Sequence, residues 1–187
     1  METEGNKSSF FDWIKGIALT FILFALIRQF IFIPIVVDGD SMQPTLHDTD
    51  RVFVNKVSRY VSDYGRFDVV VFTIDEVRYV KRIIGLPGDK IQYEDDELYV
   101  NGQQVPEPFI QEAKDEMHKY GKVTYDFTLE ELLDVQVVPE GHYFVLGDNR
   151  LYSLDSRDLR IGFVPEESIE GCVEFVMFPL DRIQWIN

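Results

Sequence analysis

The apolar run from Gly16 to Ile27, near the start of a 187-residue chain, constrains what the rest can be. As a helix it covers about 18 Å, short of a bilayer core of about 30 Å. Adding Trp13 and Ile14 on one side and Phe30 to Ile33 on the other makes it long enough to span. Arg28 then lies near one end, where it snorkels to the headgroups. At the bilayer centre that arginine would cost roughly 2.5–3.5 kcal/mol. Trp13 and Lys15 suit the opposite interface, and Pro34 is a natural helix stop. The competing reading is a cleaved signal peptide, but no small-x-small cleavage site follows Ile27. The expectation is a tail over 1–12, a transmembrane anchor over 13–35 and one further domain over 36–187. Lys7 and Lys15 precede the span, and Arg28, Arg51, Lys56 and Arg59 follow it, so charge leaves its orientation open.

Composition removes several classes of function. A net charge of −15 argues against nucleic acid, whose phosphates demand a basic face. Cys172 is the single cysteine, so no internal disulfide forms. His47, His118 and His142 are the three histidines, and no two stand at HExxH spacing or beside a cysteine. The chain is therefore expected to need no metal.

Beyond the anchor the pattern is mainly β. Arg51 to Val57 is apolar and β-branched, and Phe67 to Ile74 is a nearly unbroken apolar run, as in a strand buried on both faces. Val77 to Ile84 is a further strand, closed by Gly85-Leu86-Pro87-Gly88-Asp89. Lys90–Tyr93 and Leu98–Val100 form a hairpin around Asp95-Asp96, and Asn101-Gly102 signals another. The polar stretch from Gln103, continuing to about residue 138, reads as a surface excursion. Within it Thr128-Leu-Glu-Glu131 has capping-box spacing and predicts a short helix. Strands resume at Gly141–Leu146 and Gly171–Phe178.

Three stretches carry candidate chemistry. Ser41 stands in Asp38-Gly39-Asp40-Ser41-Met42-Gln43-Pro44-Thr45-Leu46, a tight turn in which Gly39 permits unusual backbone and Pro44 prevents winding into a helix. It is either a polar loop leaving the anchor or a constrained nucleophile. Lys81 lies in the strand Val77–Ile84, on the face shared with Val77, Tyr79 and Ile83. Arg78 and Arg82 fall on the other face and need solvent or partners. A lysine on an apolar face loses solvation, its pKa falls, and a neutral amine can take a serine proton. A lysine snorkelling at a strand edge is the plain alternative. The loop Gly147–Arg157 has turn chemistry throughout. Ser153 or Ser156 could orient a buried amine there, and Asp148, Asp155, Arg150 and Arg157 could form an ion-paired network within the loop.

Taken in order, SMQPT at 41–45, RFDVVVF at 66–72, YVKRIIGLPGD at 79–89 and GDNRLYSLDSR at 147–157 resemble the signature boxes of the bacterial type I signal peptidases, in the short single-span form of Gram-positive bacteria. The resemblance implies a mainly β, β-barrel-like catalytic domain, related to self-cleaving repressor proteases, on one N-terminal transmembrane helix. It implies a cytoplasmic N-terminus, an extracytoplasmic catalytic domain, and removal of signal peptides from exported preproteins at the bilayer without a cofactor. It makes Ser41 the nucleophile, Lys81 the general base, Ser153 the hydroxyl that orients the lysine, and Asp155 with Arg157 a structural ion pair. The Gram-negative form has an oxyanion-hole serine where this chain has Gly39.

An extended substrate would pair with strand edges near Val36–Gly39 and Arg78–Val80. Val37, Gly39, Met42, Leu46, Tyr79 and Val80 are the candidate substrate-binding residues. The rival readings are a self-cleaving Ser–Lys protease and an inert, membrane-tethered β binding module. The first lacks a DNA-binding domain. The second explains the anchor and strands but not the lysine beside a constrained serine.

Overall fold

Alternating and continuous apolar strands, punctuated by left-handed two-residue turns, build two antiparallel sheets. The computed structural model describes residue 10 and residues 12–23, 32–57 and 64–186. After a helix α1 over residues 12–23, the strands are β1 (Phe32–Val36), β2 (Arg51–Asn55), β3 (Val69–Ile74), β4 (Val77–Gly85), β5 (Ile91–Glu94), β6 (Glu97–Val100) and β7 (Gln103–Val105). Helix α2 (Gln111–Met117), strand β8 (Phe127–Thr128) and helix α3 (Leu129–Leu133) follow. The chain then forms β9 (His142–Leu146), β10 (Val164–Pro165), β11 (Ile169–Phe178) and β12 (Gln184–Trp185). The larger sheet has the order β1-β2-β11-β3-β4-β9-β10, with β12 also on β11. Among the described residues its pairing path runs from β1 to β10, and the domain is mainly β as expected. The smaller sheet has the order β7-β6-β5-β8.

The hairpins follow their turn chemistry. Asp75-Glu76, Asp95-Asp96 and Asn101-Gly102 all take positive φ, which matches the twist of the flanking strands. β3 is buried on both faces, as its unbroken apolar run predicted. Val70 and Phe72 enter one core cluster with Ile83 and Val145, while Val69 and Val71 enter another with Met42, Leu46 and Val52. A third cluster joins the small sheet to β9 through Tyr93, Leu98, Phe127 and Phe144. Thr128 caps α3 with the predicted box, its side chain accepting from Glu131 N.

Two expectations are corrected. Residues 32–36, assigned from sequence to the anchor, form β1, paired with β2 from Phe32↔Asn55 to Val36↔Arg51. The edge position tolerates Pro34, which has no N–H to give a ladder. Helix α1 is exposed along its described length, and among the described residues no helix is long and apolar enough to cross a membrane. The middle of the expected span, residues 24–31, lies outside the described residues. The stretch 103–138 is also more than a surface excursion. It supplies β7, α2, β8 and α3, and its Glu107, Ile110, Thr124, Phe127, Leu129 and Val138 are buried. Its polarity reflects buried ion pairs as well as solvent.

Candidate active site

The turn that carries Ser41 is closed at its base by backbone bonds, Val37 N to Asp50 O at 2.8 Å and Thr49 N to Val37 O at 2.9 Å. Gly39 takes φ +84°, a conformation that favours glycine, and donates its N–H to Asp48 Oδ1 at 2.8 Å. Met42 and Leu46 bond one turn apart, Leu46 N to Met42 O at 2.9 Å, and both side chains sink into the core. Ser41 is thereby fixed between two buried anchors and a glycine. The loop Gly147–Arg157 holds it from the far side. Asn149 donates its backbone N–H to Ser41 O and its side-chain amide to Asp40 O, each at 3.1 Å.

Strand β4 brings Lys81 to this turn. The lysine is 3% exposed, its Nζ lies 2.6 Å from Ser41 Oγ, and it donates to Val80 O at 2.9 Å. Burial lowers its pKa from 10.5 to about 8, against the opposing charges of Asp155 and Asp148. A substantial share of the lysine is therefore neutral in mildly alkaline solution. A neutral amine at this distance can accept the hydroxyl proton of a serine.

Arg82, next in the strand, points to the opposite face and is fully buried. Its Nε and Nη2 reach the two oxygens of Asp148 at 2.9 and 2.7 Å, and Nη1 donates to Phe67 O at 2.8 Å. Thr45 donates to the same Asp148 carboxylate and accepts from Arg82 Nη2 at 3.2 Å. The guanidinium also lies 3.9 Å from the Phe109 ring centroid. One buried arginine thus joins the serine turn, the strand of the lysine and the loop Gly147–Arg157.

That loop departs from the expected internal network. Asp155 and Arg157 do pair, Nε to Oδ1 and Nη2 to Oδ2 both at 2.8 Å, and Asp155 accepts Gly147 N at 3.0 Å. Asp148 and Arg150 leave the loop instead, for Arg82 and for Glu107 respectively. Ser156 is occupied by β9, its Oγ accepting Val145 N at 2.9 Å. Ser153 Oγ is buried and makes no hydrogen bond. The expected Ser153–Lys81 bond is thus not formed, and the Lys81 amine bonds Ser41 and Val80.

Of the substrate-binding candidates, Val37, Met42 and Leu46 are 4%, 1% and 0% exposed, within one cluster against which Val80 packs. They sit behind the surface and are not open pocket lining. Tyr79 is partly buried and stacks on Phe72, with ring centroids 5.6 Å apart. Sequence reasoning missed Gly147, Asn149 and Glu107. Gly147 was read only as a turn former, yet a Cβ there would run into Ser41 O and the Ser153 side chain. Among the described residues no group of histidine, cysteine and carboxylate side chains is placed to hold a metal ion.

Residues 10–178 match the family described as signal peptidase, peptidase S26. The chain belongs to this family. The peptidase is 45% identical over 186 residues to a Signal peptidase I of Bacillus licheniformis, a match covering 98% of this chain and 96% of the relative. It is 43% identical to Signal peptidase I S of Bacillus subtilis, over 100% of this chain and 98% of that one. A crystal structure of a signal peptidase I from Enterococcus faecalis, 44% identical, superposes with a TM-score of 0.57 over 60% of this chain and 98% of its own. The peptidase is thus a serine peptidase, a hydrolase, with the mainly β fold of its family.

Proposed function

We propose that the chain is a membrane-bound endopeptidase that removes signal peptides from exported preproteins, with Ser41 as nucleophile and Lys81 as general base. The observation that carries this reading is the 2.6 Å approach of a buried lysine amine to a serine hydroxyl on a constrained turn. Neutral Lys81 takes the Ser41 proton as Oγ attacks the scissile carbonyl. The protonated amine then gives its proton to the leaving amine, and an acyl-enzyme remains. Lys81 next takes a proton from water as that water attacks the ester and returns it to Ser41 Oγ as the ester bond breaks. The signal peptide leaves with a new carboxylate, and the Ser41 hydroxyl and neutral Lys81 are restored. The Ser41 backbone N–H is one donor for the oxyanion. Asp155 and Arg157 hold the facing loop, and Ser153 is held within it beside Gly147. Catalysis in this reading uses no metal or cofactor, and nucleic acid is not a partner.

Membrane attachment is supported by the composition and exposure of α1. Trp13, Ile17, Leu19, Phe21, Ile22 and Leu23 are all more than half exposed on one short helix. A helix apolar all round is stable only inside a protein core or lipid. The lipid bilayer and preprotein signal peptides are the partners, with the N-terminus cytoplasmic and the domain from residue 36 on the extracytoplasmic side. The deciding experiment is cleavage of a preprotein by purified wild type, Ser41→Ala and Lys81→Arg in detergent. Both variants are expected to fold and to lose at least about 10³-fold in kcat, since arginine keeps charge but cannot be deprotonated. Substantial turnover by Lys81→Arg would mean that the lysine acts as a charge and not as a base.

A further inference from the structure

The segment after β7 delivers a buried carboxylate to the loop that faces Ser41. Glu107 and Arg150 are both enclosed, and Arg150 Nη2 donates to Glu107 Oε1 at 2.5 Å. Arg150 Nη1 donates to the Tyr93 hydroxyl at 2.8 Å and to Thr124 Oγ1 at 3.3 Å. The Tyr93 hydroxyl in turn donates to Glu107 Oε1 at 2.6 Å, and burial pushes its pKa well up, so it keeps its proton. Lys114 Nζ stands 3.5 Å from the other Glu107 oxygen. The planar guanidinium fork is thus held by partners from β5, from the Thr124 segment and from the chain before α2.

The third donor nitrogen, Arg150 Nε, goes to Gly147 O at 3.0 Å. Gly147 is where this network meets the chemistry, because a Cβ there would run into both Ser41 O and the Ser153 side chain. Asp155 holds its N–H and Arg150 its carbonyl. Arg157 closes the circuit, its Nη2 donating to Arg150 O at 2.7 Å. One glycine is therefore clamped on one side by a local ion pair and on the other by a long-range one.

We propose that Glu107 and Arg150 are positioning residues for catalysis, the ion pair between them setting the Gly147 backbone and through it the approach of Ser41 to Lys81. This rests on the Ser–Lys reading above. A buried ion pair is a poor way to stabilise a core, since well-packed apolar residues of similar volume often do as well. What an apolar pair cannot do is donate an N–H to the Gly147 carbonyl. The distinction is what the experiment reads.

The Glu107→Met, Arg150→Met double variant removes equal and opposite charges while keeping volume. It is expected to melt close to wild type, with kcat lower by at least roughly tenfold and KM within about twofold. The midpoint of its acid limb is expected to stay at the wild-type pH, because the net charge facing Lys81 is unchanged. Arg66→Gln is the control for plain destabilisation, since Arg66 pairs with Asp89 near the small sheet and does not touch the loop. It is expected to lower the melting temperature and leave kcat unchanged. If the double variant does not fold, Glu107→Gln, which keeps shape and an acceptor oxygen, is expected to lower kcat with KM unchanged. Wild-type kcat in a folded double variant, or in Glu107→Gln, overturns the proposal. So does a loss of kcat that Arg66→Gln reproduces at equal destabilisation. An active Lys81→Arg enzyme would instead remove the underlying Ser–Lys reading, independently of these variants.

Discussion

Burial brings the Lys81 amine down from 10.5 to about 8, and Asp155 and Asp148 keep it from falling further. Activity is therefore expected to decline as pH drops through about 8, with log kcat/KM falling about one unit per pH unit below it. A flat profile down to pH 5 would contradict a lysine base. The same shift has a consequence for stability. The unfolded chain keeps its proton up to 10.5, so between about 8 and 10.5 it holds a proton that the folded chain lacks, and stability rises with pH across that window. Below it both states are protonated, and burial costs its full share of about 3 kcal/mol. Lys81→Met is expected to be more stable than the parent at pH 7 by up to about 3 kcal/mol, the gap closing toward the upper end of the window. Denaturant midpoints of the two proteins over that range check it, and a gap independent of pH would mean that the amine is not held neutral. Gly147→Ala tests the same place sterically. The added methyl meets Ser41 O and Ser153, so kcat is expected to fall by on the order of 10²-fold in a folded protein. Near-normal turnover would mean that the loop can retreat without disturbing the serine.

At the scale of elements, strand β4 does two jobs because a strand alternates. Lys81 faces the serine turn and Arg82 the opposite side, and neither role follows from one residue alone. Much of this was legible. A nearly unbroken apolar run gave β3, the strand pattern closed by Gly85-Leu86-Pro87-Gly88-Asp89 gave β4, turn residues gave the hairpins at Asp95-Asp96 and Asn101-Gly102, and the capping box gave α3. Long-range pairing was not. Asp148 and Arg150 have plausible partners within their own loop, and nothing local says that they reach 66 and 43 positions away. The β1 boundary failed for a related reason, because Phe32–Val36 is as apolar as the anchor and only pairing with β2 marks it as a strand. The same pairing map bears on specificity. β1 is an edge strand, and β4 over Val77–Lys81 is paired with β3 while β9 begins only at Arg82. An extended substrate can add to either edge, alternate side chains then facing the protein. Val37, Met42 and Leu46 are already close-packed behind those edges, so the residues at −1 and −3 from the cut are expected to be small. Phenylalanine in place of alanine at −1 is expected to cost about 1–3 kcal/mol in transition-state binding, and at −2 little. Equal cleavage of a −1 phenylalanine peptide, or a restrictive −2, would refute this register.

At the scale of the whole molecule, the chain divides where β1 begins. Among the described residues, every strand of both sheets lies at or after Phe32, and the core clusters draw no residue from before Ile35. Helix α1 is exposed along its described length and adds nothing to that core. In the reading proposed above, its contribution is to location and not to chemistry. Enzyme and preprotein held in one bilayer meet at a raised effective concentration, worth on the order of 10²-fold or more without any new contact. A chain beginning at residue 29 is therefore expected to keep kcat/KM for a short signal-peptide substrate in detergent within about threefold of full length. Against a preprotein in vesicles it is expected to lose on the order of 10²-fold. A chain beginning at residue 38 also loses β1 and Val37, and with them the closure of the serine turn on Asp50 and Thr49, so it is expected to fail on both substrates. If the first truncation, shown to be folded, loses the peptide activity as well, the N-terminal segment takes part in the reaction, and the division into anchor and catalytic domain is wrong.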